Sequence, residues 1–455
     1  MKLKILVINL LLINILQAQN DERILIHNAQ AISGFYDELY QLEDGTIDKI
    51  RITHIGDSHI QADFFTDNLR QHFQKSFGNG GLGFSFPHNL IYTYANKEVK
   101  YFSNVRFKTT RITKPRLLPR MGLSGYEFIS PTENTAIYAK IKNKKYEANS
   151  IKVFYSADND LHFVNYIGNQ KFKNFVPQKT YKIYKVKKGD YLGRIARKYH
   201  KTVKELKKFN KMRTNMLRIG QKIKIPTKAF KPTSVNPNHF IRIDSTANAE
   251  QGSSEFATAI MTSEKPISEF YLFSKNINKN LSINALYLEN NQRGIVYSAI
   301  GVNGATAADY NKYPLFFKQL QALQSDLYII SLGTNESIGK VAPEIFINSF
   351  LNFIRNIRQA NPNAQILVTT PPPSMIKKRH YNKLLKPYIQ LIFEQMQTEN
   401  YAVWDMFKVF GGFEGIKKNA KRHYLAKDRI HFTKAGYDKQ GDLFYQAIIY
   451  HYTHR

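Results

Sequence analysis

Cysteine is absent from this sequence of 455 residues, and that absence excludes several classes of protein. A disulfide scaffold, a thiolate metal site and a lipid-anchored cysteine behind a leader segment all require cysteine. Acidic residues are also few: 35 Asp and Glu accompany 66 Lys and Arg, which gives a formal net charge of +31. A chain this basic favours an anionic partner. Its hydrophobic fraction of 43% predicts folded domains, and its length predicts about two or three of them.

Long hydrophobic runs are scarce as well. The N-terminus, MKLKILVINLLLINILQAQN, has two lysines, an apolar run from Ile5 to Leu16 and a small residue at Ala18, which predicts a secretory signal peptide over residues 1–18. No other stretch approaches the roughly 18 apolar residues of a membrane span. We therefore expect an exported protein, periplasmic or extracellular and associated with the cell wall. Export favours an anionic envelope polymer or a membrane surface as the partner, and no nucleic acid is expected.

Nearly half of the excess positive charge lies in residues 181–226, where 16 basic residues accompany two acidic ones. The pattern of this segment predicts a strand, a turn at Gly189 and a helix capped by Asp190. A second helix, ended by Asn210, and a returning strand closed by Pro226 follow. The segment is therefore expected to form a compact strand-helix-helix-strand unit.

This unit resembles a LysM domain, here residues 181–227, and the matching positions are Val186, Gly189, Asp190, Leu192, Ile195, Ala196, Asn210, Leu217, Gly220, Gln221, Ile225 and Pro226. Tyr191 stands where threonine is commoner. The resemblance implies binding of peptidoglycan or another glycan that contains N-acetylglucosamine. The candidate glycan-binding residues are Gly189, Asp190, Tyr191, Leu192 and Asn210. The alternative, which so many matching positions disfavour, is a basic helical hairpin that packs structurally on its neighbours.

Short runs rich in Ile, Val, Phe and Tyr lie on both sides of the basic unit, and Asn, Gly and Pro separate them. Such spacing predicts a β-sandwich over residues 90–180 and 228–290 that carries the LysM module in one of its loops. The runs are Val99 to Phe107, Thr135 to Ile141, Ser150 to Tyr155, Phe240 to Ile243, Phe270 to Ser274 and Ser282 to Leu288.

The remaining sequence, residues 45–89 and 291–455, alternates buried-type strands with helical stretches, and residues 19–44 form an N-terminal linker or helix. The predicted strands begin near residue 49, at Ile295, at Asp326, at Ala364 and at Tyr401. This rhythm predicts an α/β fold, a flavodoxin-like three-layer α/β/α sheet of five parallel strands that the β domain interrupts.

Four polar motifs follow these strands. Ser58, in THIGDSHIQADFF, lies on a strand-to-helix turn; Gly304 follows the second strand and Asn335 the third; Asp428 and His431 precede the last helix. Carboxyl ends of parallel strands share one edge of a sheet, so we expect these residues to meet there. A serine hydroxyl needs a base within hydrogen-bond reach, and a histidine oriented by an aspartate is suited to that task.

These blocks resemble those of the SGNH (GDSL) hydrolases. The resemblance implies that Ser58 is the nucleophile, that Asp428 and His431 complete a triad, and that Ser58, Gly304 and Asn335 form the oxyanion hole. Glu336 stands where the family usually has Asp. His59 stands where many members have Leu. A histidine there, and a glycine pair such as Gly411 and Gly412, resemble the sequences of the peptidoglycan O-acetylesterases within this family.

The expected function is that of an exported serine esterase which removes O-acetyl groups from peptidoglycan through an acetyl-serine intermediate. Deacetylation of another polysaccharide, acetyl transfer to a sugar acceptor and an inactive LysM scaffold for glycan binding are the alternatives. No cofactor is expected, and no His-Glu-x-x-His or comparable motif indicates a metal. His54, His59 and Arg429 are candidates for lining the pocket.

Overall fold

A computed structural model describes residues 23–114, 121–130, 132–156, 160–168, 175–243, 246–248, 256–275 and 283–454. The predicted signal peptide lies outside these residues. The strands are β1 (Lys49–Gly56), β2 (Asn79–Ser85), β3 (Val99–Ser103), β4 (Lys108–Arg111), β5 (Tyr126–Ile129), β6 (Thr135–Ile141), β7 (Ala148–Ser156), β8 (His162–Tyr166), β9 (Gln178–Lys185), β10 (Lys222–Lys231), β11 (Phe240–Arg242), β12 (Thr246–Asn248), β13 (Phe256–Ile267), β14 (Glu269–Ser274), β15 (Ile283–Glu289), β16 (Gly294–Gly301), β17 (Leu327–Ser331), β18 (Gln365–Thr369), β19 (Met375–Ile376), β20 (His380–Tyr381) and β21 (Ala402–Trp404).

The helices are α1 (Ser33–Asp44), α2 (Ser58–Gln61), α3 (Phe64–Phe77), α4 (Leu192–Lys198), α5 (Val203–Phe209), α6 (Ala307–Asn311), α7 (Pro314–Gln321), α8 (Thr334–Ile338), α9 (Pro343–Ala360), α10 (Leu385–Gln395), α11 (Met406–Val409), α12 (Gly412–Lys421) and α13 (Lys434–Thr453). Among the described helices, none combines the length and the apolar character that crossing a membrane requires.

Five parallel strands form the centre of the fold in the spatial order β16-β1-β17-β18-β21. In chain order this is 2-1-3-4-5, the flavodoxin-like arrangement, so the predicted α/β core is confirmed. Their side chains are almost all buried because helices cover both faces of the sheet. In register, Gly56 at the end of β1 lies beside Gly301 of β16 and Ser331 of β17, which brings three loops together.

The predicted β region differs from expectation in how it joins this sheet. Rather than forming a separate sandwich, β12, β13, β7 and β15 continue the central sheet through β2, so ten strands of the described chain form one mixed sheet. A second sheet, in the order β11-β8-β14-β6-β3, shares a buried apolar cluster with these outer strands. The sequence hides this link because β2 reads NGGLGFS, and glycine is depleted in strands. A Cβ on Gly81 would lie 2.6 Å from the carbonyl oxygen of Leu288, so close pairing with β15 requires glycine there.

The basic unit folds as predicted, with β9 and β10 paired and α4 and α5 between them in sequence. It has an apolar core of its own, which includes Leu192, Ile195, Leu206 and Ile223. One detail is wrong: Asp190 does not cap α4, because its carboxylate accepts hydrogen bonds from the Lys187 N–H and the Tyr184 hydroxyl, both at 2.8 Å. Asp190 therefore closes the turn before the helix.

Candidate active site

Ser58 is the first residue of α2, directly after β1, and its side chain is partly exposed. The helix lies very close to the neighbouring strand: a Cβ on Gly301 would be 2.3 Å from the backbone nitrogen of Gln61. Asp57 caps the helix by accepting a hydrogen bond from the His59 N–H at 2.9 Å. The tight strand-to-helix turn therefore holds the serine hydroxyl at the edge of the sheet.

The serine, histidine and aspartate that the sequence singles out are joined in one hydrogen-bonded chain. Ser58 Oγ lies 2.9 Å from His431 Nε2, and His431 Nδ1 lies 2.7 Å from Asp428 Oδ2. Residues 373 positions apart in sequence thus meet at the carboxyl edge of the sheet, as predicted. The arrangement can remove a proton from the serine and hold it on the imidazole.

Asp428 is fixed by its own turn. Its Oδ1 accepts hydrogen bonds from the backbone N–H of Ile430 at 2.9 Å and of His431 at 3.0 Å. Burial alone would raise the pKa of Asp428, but the hydrogen bonds from the His431 ring and these two N–H groups outweigh it, and the pKa is lowered. The carboxylate is therefore ionised at neutral pH and holds the proton of His431 on Nδ1, which leaves Nε2 free to accept from Ser58.

Gly304 and Asn335 lie on the two loops beside Ser58. Gly304 has a left-handed backbone, with φ of +81°, and no heavy atom lies within 4 Å of where a Cβ would project, so its surroundings are open. The Asn335 amide donates hydrogen bonds to Asp57 Oδ2 and to the Ala305 carbonyl oxygen, both at 3.0 Å. Asn335 thus links all three strand-end loops, and both of its amide hydrogens have acceptors within the protein.

Two buried side chains that the sequence reasoning did not assign a role hold these loops together. Glu336 Oε1 accepts from the Ala307 N–H at 2.9 Å, and Oε2 accepts from the Gly333 N–H at 3.1 Å. Burial raises the pKa of Glu336 to about 7. Gln61 donates to the Tyr94 carbonyl oxygen at 2.9 Å and accepts from the Asn303 N–H, next to Gly304. Glu336 stood out in sequence as a departure from the family; Gln61 carried no signal.

The candidates for pocket lining divide into three cases. His54 is wholly buried and bonded to the hydroxyls of Tyr297 and Ser331, so it is part of the core and does not line a pocket. His59 is buried beside the triad: its ring centroid lies 5.1 Å from that of His431, and burial lowers its pKa to about 3. Arg429 lies in the triad turn, between Asp428 and His431, and is partly exposed.

The candidate glycan-binding residues of the basic unit also differ in accessibility. Tyr191 has 55% of its surface exposed, and Gly189 lies in the turn with φ of +83°. Leu192 is 1% exposed, so its side chain is a core residue and cannot contact a sugar. Asn210 joins α5 to β10 through hydrogen bonds with the backbone of Leu206 and Lys224. Leu192 and Asn210 therefore support the fold of the unit.

Comparison with known families agrees with both parts of this description. Residues 280–439 match the model of the GDSL-like Lipase/Acylhydrolase family, and residues 184–226 match the model of the LysM domain. The chain therefore contains a segment of the GDSL-like Lipase/Acylhydrolase type and a LysM domain. The first match includes Gly304, Asn335, Asp428 and His431, whereas Ser58 precedes it in sequence.

Two known proteins resemble this chain, one over most of its length and one over a short segment. A solved structure of a peptidoglycan O-acetylesterase superposes with a TM-score of 0.61 at 18% identity, covering 92% of this chain and 96% of that chain. The probable peptidoglycan endopeptidase LytE of Bacillus subtilis (strain 168) is 50% identical over 42 residues. That match covers 9% of this chain and 13% of LytE, so this chain spans only a small part of that protein's length.

Proposed function

We propose that this protein is an exported carbohydrate esterase that removes O-acetyl groups from peptidoglycan through an acetyl-serine intermediate. The observation that carries the proposal is the hydrogen-bonded chain from Ser58 through His431 to Asp428. Gly304 lies on a neighbouring strand-end loop, and no heavy atom lies within 4 Å of where a Cβ on it would project. Because all three side chains are present and hydrogen-bonded to one another, the alternative of an inactive scaffold is disfavoured.

In the proposed mechanism, Ser58 Oγ attacks the acetyl carbonyl carbon while His431 Nε2 accepts the hydroxyl proton. The N–H groups of Ser58 and Gly304 donate to the negative oxygen of the tetrahedral intermediate. Asn335 joins them by exchanging one of its two internal hydrogen bonds for the oxyanion. The intermediate collapses, the bond to the sugar oxygen breaks, and His431 returns its proton to that oxygen. Water then attacks acetyl-Ser58 with the same histidine as base, which releases acetate.

The choice of peptidoglycan as substrate rests on the LysM domain and on the architecture. A tethered glycan-binding module raises the local concentration of the polymer at the esterase without changing the chemistry. The superposition with the peptidoglycan O-acetylesterase structure extends over nearly the whole chain, so the shared architecture is broader than the esterase domain alone. Deacetylation of a xylan or capsular polymer uses the same acyl-enzyme, as does acetyl transfer to a sugar.

The proposal predicts that the protein releases acetate from O-acetylated peptidoglycan faster than from acetylated xylan at equal ester concentration. Acetate is quantified enzymatically, and peptidoglycan stripped of acetyl groups by mild alkali is the blank. Faster release from xylan would contradict the choice of peptidoglycan. Appearance of acetyl groups on an added sugar in place of free acetate would instead favour the transferase alternative.

The LysM domain is expected to increase activity on the insoluble polymer and to leave the hydrolysis of a small ester unchanged. Deleting residues 181–226 joins Thr180 to Thr227, whose hydroxyls already hydrogen-bond to each other, so the remaining strands keep their positions. We expect unchanged turnover of p-nitrophenyl acetate and slower release of acetate from insoluble peptidoglycan. Because the module carries net charge +14, the difference should shrink above about 0.15 M salt. Equal activity of both forms on the insoluble polymer at low salt would contradict tethering.

A further inference from the structure

A short basic hairpin borders the candidate active site and has no role in the mechanism above. It consists of β19, β20 and the connecting residues Lys377, Lys378 and Arg379. At its base, the Met375 N–H donates to the Arg429 carbonyl oxygen at 2.9 Å, inside the triad turn. On its other side, the buried Asn382 amide donates to Ser337 Oγ of α8 at 2.8 Å. The hairpin is therefore anchored both to the Asp428–His431 turn and to the helix that carries Asn335.

The backbone of this hairpin is unusual for the residues it contains. Lys377 and Lys378 have φ of +51° and +62°, and the Arg379 N–H donates to the Ile376 carbonyl oxygen at 3.2 Å, which describes a type I′ turn. Such turns prefer Asn-Gly, because a side chain disfavours the left-handed conformation. Arg429 in the triad turn shares that conformation, with φ of +64°. Basic side chains thus occupy three positions where the backbone favours small residues.

The positive charge of the hairpin is not neutralised by the fold. Lys377, Lys378 and Arg379 are exposed, and Arg429 is partly exposed. Within the described part of the chain, none of these four cations takes part in a salt bridge. Like charges repel, so placing four cations on the hairpin and on the turn bonded to it costs free energy. A bound anion would offset this cost.

We propose that this basic hairpin binds a carboxylate of the substrate, so that the site takes an anionic acetylated glycan in preference to a neutral one. The inference rests on the proposed esterase function and narrows its substrate class. Peptidoglycan carries carboxylates on its stem peptides, and on those lactyl groups to which no peptide is attached, whereas xylan acetate esters lie on a largely neutral backbone. Anchoring to both halves of the active site would let the hairpin set the distance between the carboxylate and the ester that reaches Ser58.

The test replaces the two strained lysines with the pair that the turn prefers, Lys377→Asn with Lys378→Gly, which removes two charges without disfavouring the hairpin. We expect KM for O-acetylated peptidoglycan to rise about three- to tenfold at low salt, as two partly exposed charge contacts would give. Turnover of p-nitrophenyl acetate and of acetylated xylan should stay unchanged. The matched control is Lys75→Asn with Lys144→Asn, which removes two exposed lysines at the opposite edge of the sheet.

An unchanged KM for peptidoglycan in the hairpin variant, or an equal loss with acetylated xylan, would overturn the proposal. A second anionic substrate, acetylated alginate, separates this outcome from failure of the proposed function. If the intact protein releases no acetate from peptidoglycan, the peptidoglycan proposal fails. The hairpin proposal then stands if the variant loses activity on acetylated alginate relative to acetylated xylan, and falls if it does not.

Discussion

Ser58→Ala is expected to reduce hydrolysis of p-nitrophenyl acetate by about 10⁴-fold or more, because the substitution removes the atom that forms the acyl-enzyme. The side chain is partly exposed and makes one described hydrogen bond, to His431, so the melting temperature should change little. Retention of peptidoglycan in a pull-down should also be unchanged, since the LysM domain has a separate core.

Ser331→Ala is the matched control for this variant. Ser331 lies at the end of β17, beside Gly56 in register, but its hydroxyl is bonded to His54 and Thr369 and not to His431. We expect this substitution to affect stability more than rate. A folded Ser58→Ala protein with full esterase activity would contradict the assignment of the nucleophile, whatever the control shows.

Asp428→Asn is expected to lower kcat by about 10³- to 10⁴-fold with little loss of stability. The asparagine oxygen can still accept from the N–H groups of Ile430 and His431, so the turn should persist. Its amide, however, would face His431 Nδ1 and favour the tautomer with the proton on Nε2. That tautomer cannot accept the proton of Ser58, so the rate falls while the shape is kept.

A second aspartate–histidine pair in the same chain is the control for this prediction. Asp442 accepts from His72 at 2.9 Å, with exposure close to that of the Asp428–His431 pair. Asp442→Asn removes a pair of the same chemistry on the α3–α13 surface and should leave kcat unchanged. Comparable losses of rate in both variants, or a loss of rate in Asp428→Asn that follows its melting temperature, would indicate a structural aspartate.

The central sheet was predictable because each parallel strand is a continuous buried run, and the site followed from one topological rule. The carboxyl ends of parallel strands lie at one edge of the sheet, so Ser58, Gly304 and Asn335 are expected there without any knowledge of the loop conformations. The LysM unit was predictable for a different reason, since its turn, helix and strand residues match the spacing of a LysM domain, although Asp190 closes the turn and does not cap the helix. In both cases the informative pattern is local.

What the sequence did not reveal depends on pairing between distant segments. The partner of a strand such as β15 is set by long-range contacts, and the glycine-rich β2 that joins the two halves of the sheet lacks a strand pattern. The roles of Gln61 and of the basic hairpin likewise depend on contacts between segments that are distant in sequence. A glutamine that bridges two loops and two lysines in a type I′ turn have no signature until their hydrogen bonds and backbone angles are known.

The central claim is that an acetyl group passes from peptidoglycan to Ser58, and one measurement tests it directly. The protein is mixed with O-acetylated peptidoglycan, quenched in acid within the first turnover, digested and analysed by mass spectrometry. The account predicts that the peptide containing Ser58 gains the mass of one acetyl group, that the modification maps to Ser58, and that it disappears in Ser58→Ala. Release of acetate with no acetylated peptide at any quench time, or with the acetyl group on another residue, would contradict it.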